Sequence, residues 1–280
     1  MTKMGTIARK DISDASRSRL LWGAVSLMVL VLVLAWNDSG ALLERAENNP
    51  ILYAINPFGM FVPFVAIVLG YKSIVGERTS GRIRILLGLP GRRRDVVFGK
   101  YLGRMVVFLV IMSVTVVTLI ALSFVRLENV NPYELVGAAA LLFLYGFAWT
   151  GMTVGISSSV SSETRAVAAI VGLFVLFLAL WEATVLPIFA LLFTGSASTQ
   201  GLDHIVTADG PTWYLYATRL NPVHVFDGSR YNMAELVENA ANGTVASVHG
   251  PDLFGFAMLL AWAIIPIAIG YWRFERAELS

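Results

Sequence analysis

From Met105 to Val125 the chain carries no charged side chain. Wound as an α-helix at about 1.5 Å per residue, a run of that length crosses the roughly 30 Å hydrocarbon core of a bilayer. Comparable apolar runs occupy about 20–36, 53–74, 135–157, 166–187 and 253–272. Of 280 residues, 56% are hydrophobic and 14% charged, and the mean hydropathy is +0.69. Soluble domains carry charge on about a quarter of their residues. A water-soluble core of this size cannot hide so much apolar surface, so lipid is the solvent. The runs are continuous rather than alternating, which excludes a transmembrane barrel, and lipid forbids open backbone. The expected fold is an all-α integral membrane protein, with a single six-helix transmembrane domain over residues 1–280.

Charge bias orients such a bundle, because lysine and arginine gather on the cytoplasmic side. Six crossings place the N-terminus, the loops around 72–104 and 157–165, and the C-terminus together. Seventeen of the 21 lysines and arginines fall on that side; only Arg45, Arg126, Arg219 and Arg230 fall on the other. Shifting the topology by one span would destroy this segregation, so both termini are expected to be cytoplasmic. The outer side is acidic, with Asp203, Asp227 and Asp252 among its carboxylates. The first apolar run has no small-residue cleavage site after it and reads as a retained span rather than a signal peptide.

The loop after the second span, GERTSGRIRILLGLPGRRRDVVFGKYLGR over 76–104, breaks at Pro90-Gly91. Before the break, Ile83, Leu86 and Leu87 repeat at helical spacing and predict a short helix with one apolar face, flanked by Arg82 and Arg84. Pro90 cannot continue that helix, and Gly91 permits the turn. After the break, Arg92, Arg93 and Arg94 open the third span. Cations at a helix N-terminus oppose its dipole by roughly some tenths of a kcal/mol each. Compensation is expected from anionic lipid headgroups, worth about 1 kcal/mol per basic residue, or from an acidic groove on a cytoplasmic partner.

These residues resemble the membrane subunits of ABC exporters of the ABC-2 type. In that family the loop reads approximately E-R-x-x-G-x-x-x-x-L-L-x-x-P-x-x-R, followed by G-K. This chain offers Glu77, Arg78, Gly81, Leu86, Leu87, Pro90, Arg92, Arg93 and Arg94, then Gly99 and Lys100. Residues 6–19 look like the interfacial helix these permeases place before their first span, with Met4, Ala8, Ile12 and Ala15 along one face. Residues 211–228 resemble the outer segment that precedes the last span. The match is best to single-domain permeases that include those serving copper-site maturation of nitrous oxide reductase. The resemblance implies that 76–95 is a coupling loop, through which Glu77, Arg78, Gly81, Leu86, Leu87, Pro90 and the three arginines engage a separate ATPase. It implies a permease subunit of an ATP-driven exporter in the cell (plasma) membrane, working as a homodimer or heterodimer of permeases with two copies of an ABC ATPase. ATP and Mg would bind in that partner. This chain is expected to bind no cofactor, no metal and no nucleic acid, to carry no catalytic residue, and to contact membrane lipids.

No P-loop is present, since Gly99-Lys100 is followed by Tyr101, and neither HExxH nor G-x-S-x-G occurs. The absence of cysteine removes disulfides and thiolate sites. One alternative is a non-transporting membrane scaffold or sensor, whose arginine loop binds lipid or a signalling protein. Another is an intramembrane enzyme, which needs two catalytic groups at one depth where the spans offer only Glu182 with scattered serines and threonines.

Glu182, in ALWEATVLPIF, is the only charge well inside a span. A central acid costs about 3 kcal/mol on insertion scales, so it should face protein or water. It would line a transport path; if instead the fifth span ends there, it would sit at the outer interface, with Trp181 in the aromatic belt. Pro187 favours the interface. Gly151 and Gly155 form a GxxxG for which packing inside the subunit is favoured over a dimer contact. His204, His224 and His249 read as outer-surface histidines without metal-ligand spacing, and the serines at 157–159 and 161–162 as a cytoplasmic connection. The outer region 194–251 is too long for a turn. Its patches Trp213–Leu215 and Val223–Phe226 predict short helices on the membrane surface or re-entering it, with a further helix ending near Gly243.

Overall fold

The computed structural model describes residues 3–37, 49–81, 93–202, 210–244 and 249–276, and these contain helices and no strand. Six helices are long and apolar enough to cross a membrane. They are span 1 (Arg19–Trp36), span 2 (Phe58–Thr79), span 3 (Arg93–Arg126), span 4 (Pro132–Ser159), span 5 (Glu163–Thr194) and span 6 (Gly250–Arg276). A further helix, Lys3–Ser16, precedes span 1. Three short helices, Thr212–Arg219, Pro222–Gly228 and Arg230–Asn242, join spans 5 and 6.

Helix ends follow local chemistry. Asn131 and Asn221 each precede a proline, and each side-chain oxygen accepts the backbone N–H two residues on, at 2.9 Å. Proline in a first turn forfeits no hydrogen bond, so Asn-Pro makes a helix start. Gly195 and Gly243 end their helices at φ of +75° and +65°, in the left-handed region that glycine enters without Cβ strain.

Span 4 is the centre of the bundle. Of its most apolar window 67% is buried, against 22% for span 5. Tyr145 and Trp149 are wholly enclosed there, with Phe108, Phe177 and Phe226 around them. Lipid is as apolar as leucine, so helices associate through close packing, and small residues allow it. A Cβ on Gly151 would stand 2.6 Å from Ala263 Cα, and one on Gly155 would strike the backbone of Pro266. The GxxxG therefore seats span 6 against span 4 inside one subunit.

Span 2 is interrupted. Its helix stops at Gly70 and resumes at Val75. Ser157 bridges the gap: its hydroxyl accepts from the N–H groups of Ile74 and Val75 at 3.2 Å and donates to Tyr71 O at 2.9 Å. Ser157, Ser158 and Ser159 thus belong to the last turn of span 4 rather than to a connection.

Contacts between distant segments fix which ends share a face. The Lys3–Ser16 helix lies on the start of span 3. The end of span 2 meets the end of span 4, and the start of span 3 meets the end of span 6. The basic segments therefore gather at one face of the bundle. The described residues of 194–251 occupy the other, and their central helix sinks inward: Pro222, Val223, His224, Val225 and Phe226 are all buried. That helix is packed inside the bundle rather than laid on its surface.

Candidate functional site

At the basic face an ionic collar joins three elements that lie far apart in sequence. Asp11, on the Lys3–Ser16 helix, is 3% exposed. Lys100 Nζ donates to Asp11 Oδ1 at 2.9 Å and to Glu77 Oε1 at 3.0 Å. Arg104 Nε pairs with Asp11 Oδ2 at 3.1 Å. One lysine of span 3 thereby ties the N-terminal helix to the end of span 2. Such a carboxylate is held only by charge-assisted bonds that offset its lost hydration. The approach depends on Gly99 and Gly103 of span 3. A Cβ on Gly103 would lie 2.8 Å from Asp11 Cβ, and one on Gly99 2.9 Å from Met4 O.

The expected apolar stripe of Met4, Ala8, Ile12 and Ala15 is displaced by this contact. Ile7, Ala8, Asp11 and Ala15 form the buried side instead, so the helix packs on protein along a face that contains a charge. The signal in the sequence was a second small-xxx-small pair, Gly99 and Gly103, facing a lone Asp within an apolar stripe.

The described ends of the arginine-rich loop are braced as well. Arg78 donates to Val160 O at 2.9 Å, and its guanidinium lies 4.5 Å from the centre of the Phe274 ring. Arg93 donates to Phe274 O at 3.1 Å and to Glu275 O at 2.8 Å. Those carbonyls end span 6, where the helix dipole is negative. Part of the compensation expected from lipid or a partner is thus supplied by the chain itself. Arg94 lies 3.9 Å from Asp95. Thr79 donates to Glu163 Oε1 at 2.9 Å, and Lys72 pairs with Glu163 Oε2 at 2.8 Å, both near the surface. Gly81, at φ +72°, turns the backbone out of span 2. Of the proposed ATPase-coupling residues, Glu77, Arg78, Gly81, Arg93 and Arg94 are thereby placed. Leu86, Leu87, Pro90 and Arg92 lie outside the described residues.

Span 5 holds the second group. It does not end at Glu182 but continues through Pro187 to Thr194. Between Leu176 and Val185 it is wound as a π-helix, a wider form that frees backbone groups and often marks functional positions. The Phe177 carbonyl accepts Asn221 Nδ2 at 2.7 Å, so the start of the Pro222–Gly228 helix is bolted to the π segment. His224 Nε2 stands 3.8 Å from Glu182 Oε1. The His224 side chain is 6% exposed and that of Glu182 58%. His224 is therefore no surface histidine, and Trp181, buried against Phe177, is no interfacial anchor. The apolar residues on both sides of His224 carried the clue to its burial.

The opposite face is fastened by Asp252 at the start of span 6. Its carboxylate, 1% exposed, accepts Arg219 Nε at 2.9 Å, the Ser229 hydroxyl and Asn232 Nδ2 at 2.6 Å, with His249 Nδ1 3.2 Å away. Arg230 reaches Leu52 O at 3.0 Å; burial pushes its guanidinium below the usual arginine range, with the Asp227 carboxylate opposing. His204 lies outside the described residues. Among the described residues no three metal-ligating side chains converge.

The described residues thus build a six-helix bundle with a buried outer helix and braced ends to its basic loop. The family model described as ABC-2 family transporter protein matches residues 5–279, and the chain belongs to that family. It is 26% identical over 296 residues to the probable ABC transporter permease protein NosY of Pseudomonas aeruginosa, covering 100% of both chains. It is 26% identical over 286 residues to the protein of the same name from Stutzerimonas stutzeri, covering 99% of each. The protein is thus a multi-pass membrane permease subunit of the ABC-2 transporter family.

Proposed function

We propose that this permease serves an ATP-driven exporter, with its basic face and both termini in the cytoplasm and a separate ABC ATPase docked on residues 76–95. The observation that carries this reading is the bracing of both described ends of that loop. Glu77 is tied through Lys100 to the N-terminal helix, Arg78 to the end of span 4, and Arg93 to the end of span 6. A force applied to the loop would reach spans 2, 3, 4 and 6 together. ATP and Mg bind in the partner, and two ATPases serve a dimer of permeases. Glu182, half-open beside His224 on the least buried span, faces the path between the two copies. A carboxylate at that depth needs protein or water opposite it.

The test is affinity purification of the full chain from mild detergent. The wild type is expected to bring an ABC ATPase at a one-to-one ratio, and the Leu86→Asp, Leu87→Asp double variant to lose it while still inserting. Equal recovery of the ATPase with both would reject docking on this loop.

A further inference from the structure

Spans 4, 5 and 6 leave a groove between them in the half of the bundle nearer the basic face. It encloses about 320 Å³ and is walled by Ile156 of span 4, Ala169 and Leu173 of span 5, and Ile265 and Ile269 of span 6. Two features keep it open. Gly155 lets span 6 approach span 4 closely at Pro266, while span 5 is the least buried of the six spans. An apolar hollow bordering the hydrocarbon takes up hydrocarbon.

The end of the groove has a different character. Arg273, one turn short of the end of span 6, lines it there. Among the described residues Arg273 makes no hydrogen bond or ion pair, whereas its neighbours are engaged. Phe274 carries Arg78 on its ring, and Arg276 stacks 4.1 Å from the Trp272 ring centre. An arginine at a span end extends its charge to headgroup level while its stem stays in the apolar layer. An apolar slot closed by one free guanidinium matches a molecule with a long hydrocarbon tail and an anionic head.

We propose that this groove holds one acyl chain of an anionic phospholipid whose phosphate pairs with Arg273. The lipid wedges span 5 against spans 4 and 6 on the side away from its contact with Asn221. The assignment stands on the groove and its charge and does not depend on ATPase docking.

The experiment uses the full chain reconstituted with equal phosphatidylglycerol and phosphatidylcholine, extracted, and weighed by native mass spectrometry. The wild type is expected to retain one phosphatidylglycerol per chain in preference to phosphatidylcholine. Arg273→Ala should cut that retention roughly fivefold, the equivalent of the about 1 kcal/mol that one basic residue contributes at a membrane surface. Ala169→Trp, filling the slot, should expel the lipid whatever its head, and Arg276→Ala should leave retention unchanged. Should Ala169→Trp fail to fold, the two arginine variants decide alone. Retention of both lipids alike, equal retention by Arg273→Ala and wild type, or loss of a dimer instead of a lipid on filling the slot would each overturn the proposal. The last outcome would assign the groove to a second copy of the chain.

Discussion

The two faces of the bundle use the same chemistry to different ends. On the acidic face, Asp252 is enclosed by Arg219, Ser229 and Asn232, and every partner comes from the adjoining outer segment. The network closes the outer helices onto the top of span 6. On the basic face, Lys100 stands between Asp11 and Glu77, carboxylates from two segments that both precede it in sequence, and Arg104 takes a second hold on Asp11. The first arrangement is a lock around one buried charge. The second is a linkage that joins the N-terminal helix, the end of span 2 and the start of span 3 through one lysine.

Three measurements would break or sharpen this contrast. Asp252→Ala is expected to have the largest effect, because it leaves the Arg219 guanidinium buried without its counter-charge. That costs about 3 to 5 kcal/mol, seen as a steep fall in the thermal midpoint of the detergent-purified protein. A midpoint within a degree of wild type would show that water replaces the carboxylate and that no lock exists.

Lys100→Ala should cost less, about 2 kcal/mol as for a charge-assisted hydrogen bond, because Arg104 keeps its hold on Asp11. Its more telling readout is a double-mutant cycle with Glu77→Ala. A coupling of about 1 kcal/mol is expected between directly paired groups. Strict additivity would mean that span 2 and the N-terminal helix are not linked through this lysine.

Lys72→Ala marks the floor. Lys72 and Glu163 form a 2.8 Å pair whose side chains are 52% and 34% exposed, and pairs open to solvent contribute little. No measurable change in midpoint is expected. A loss comparable to that from Lys100→Ala would place Lys72 within the linkage.

Six spans, the helical class and the clustering of basic segments were legible in the sequence, because each follows from length, hydropathy and charge along the chain. Hydrocarbon-length runs must be helical in lipid wherever they stand. The loop motif around Glu77 and Pro90 pointed to the family, since it is local and its residues are read in order. The fate of Glu182 was not legible. Pro187 signalled a helix end, yet the π-wound segment before it carries the helix on, and the partner of the freed Phe177 carbonyl is Asn221, 44 residues away.

His224 and Asp11 teach the same lesson. By sequence one was an outer-surface histidine, and the other drew no reading of its own within the segment taken for an interfacial helix. Burial of each was decided by what came to lie against it, the π segment in one case and the glycine-lined start of span 3 in the other. The sequence alone determined how often the chain crosses the membrane and which segments gather at one side, because those are sums over neighbouring residues. Only the tertiary structure decided which charges meet, because a pairing depends on the approach of helices distant in the chain. That approach is set by a few missing side-chain atoms at Gly99, Gly103 and Gly155.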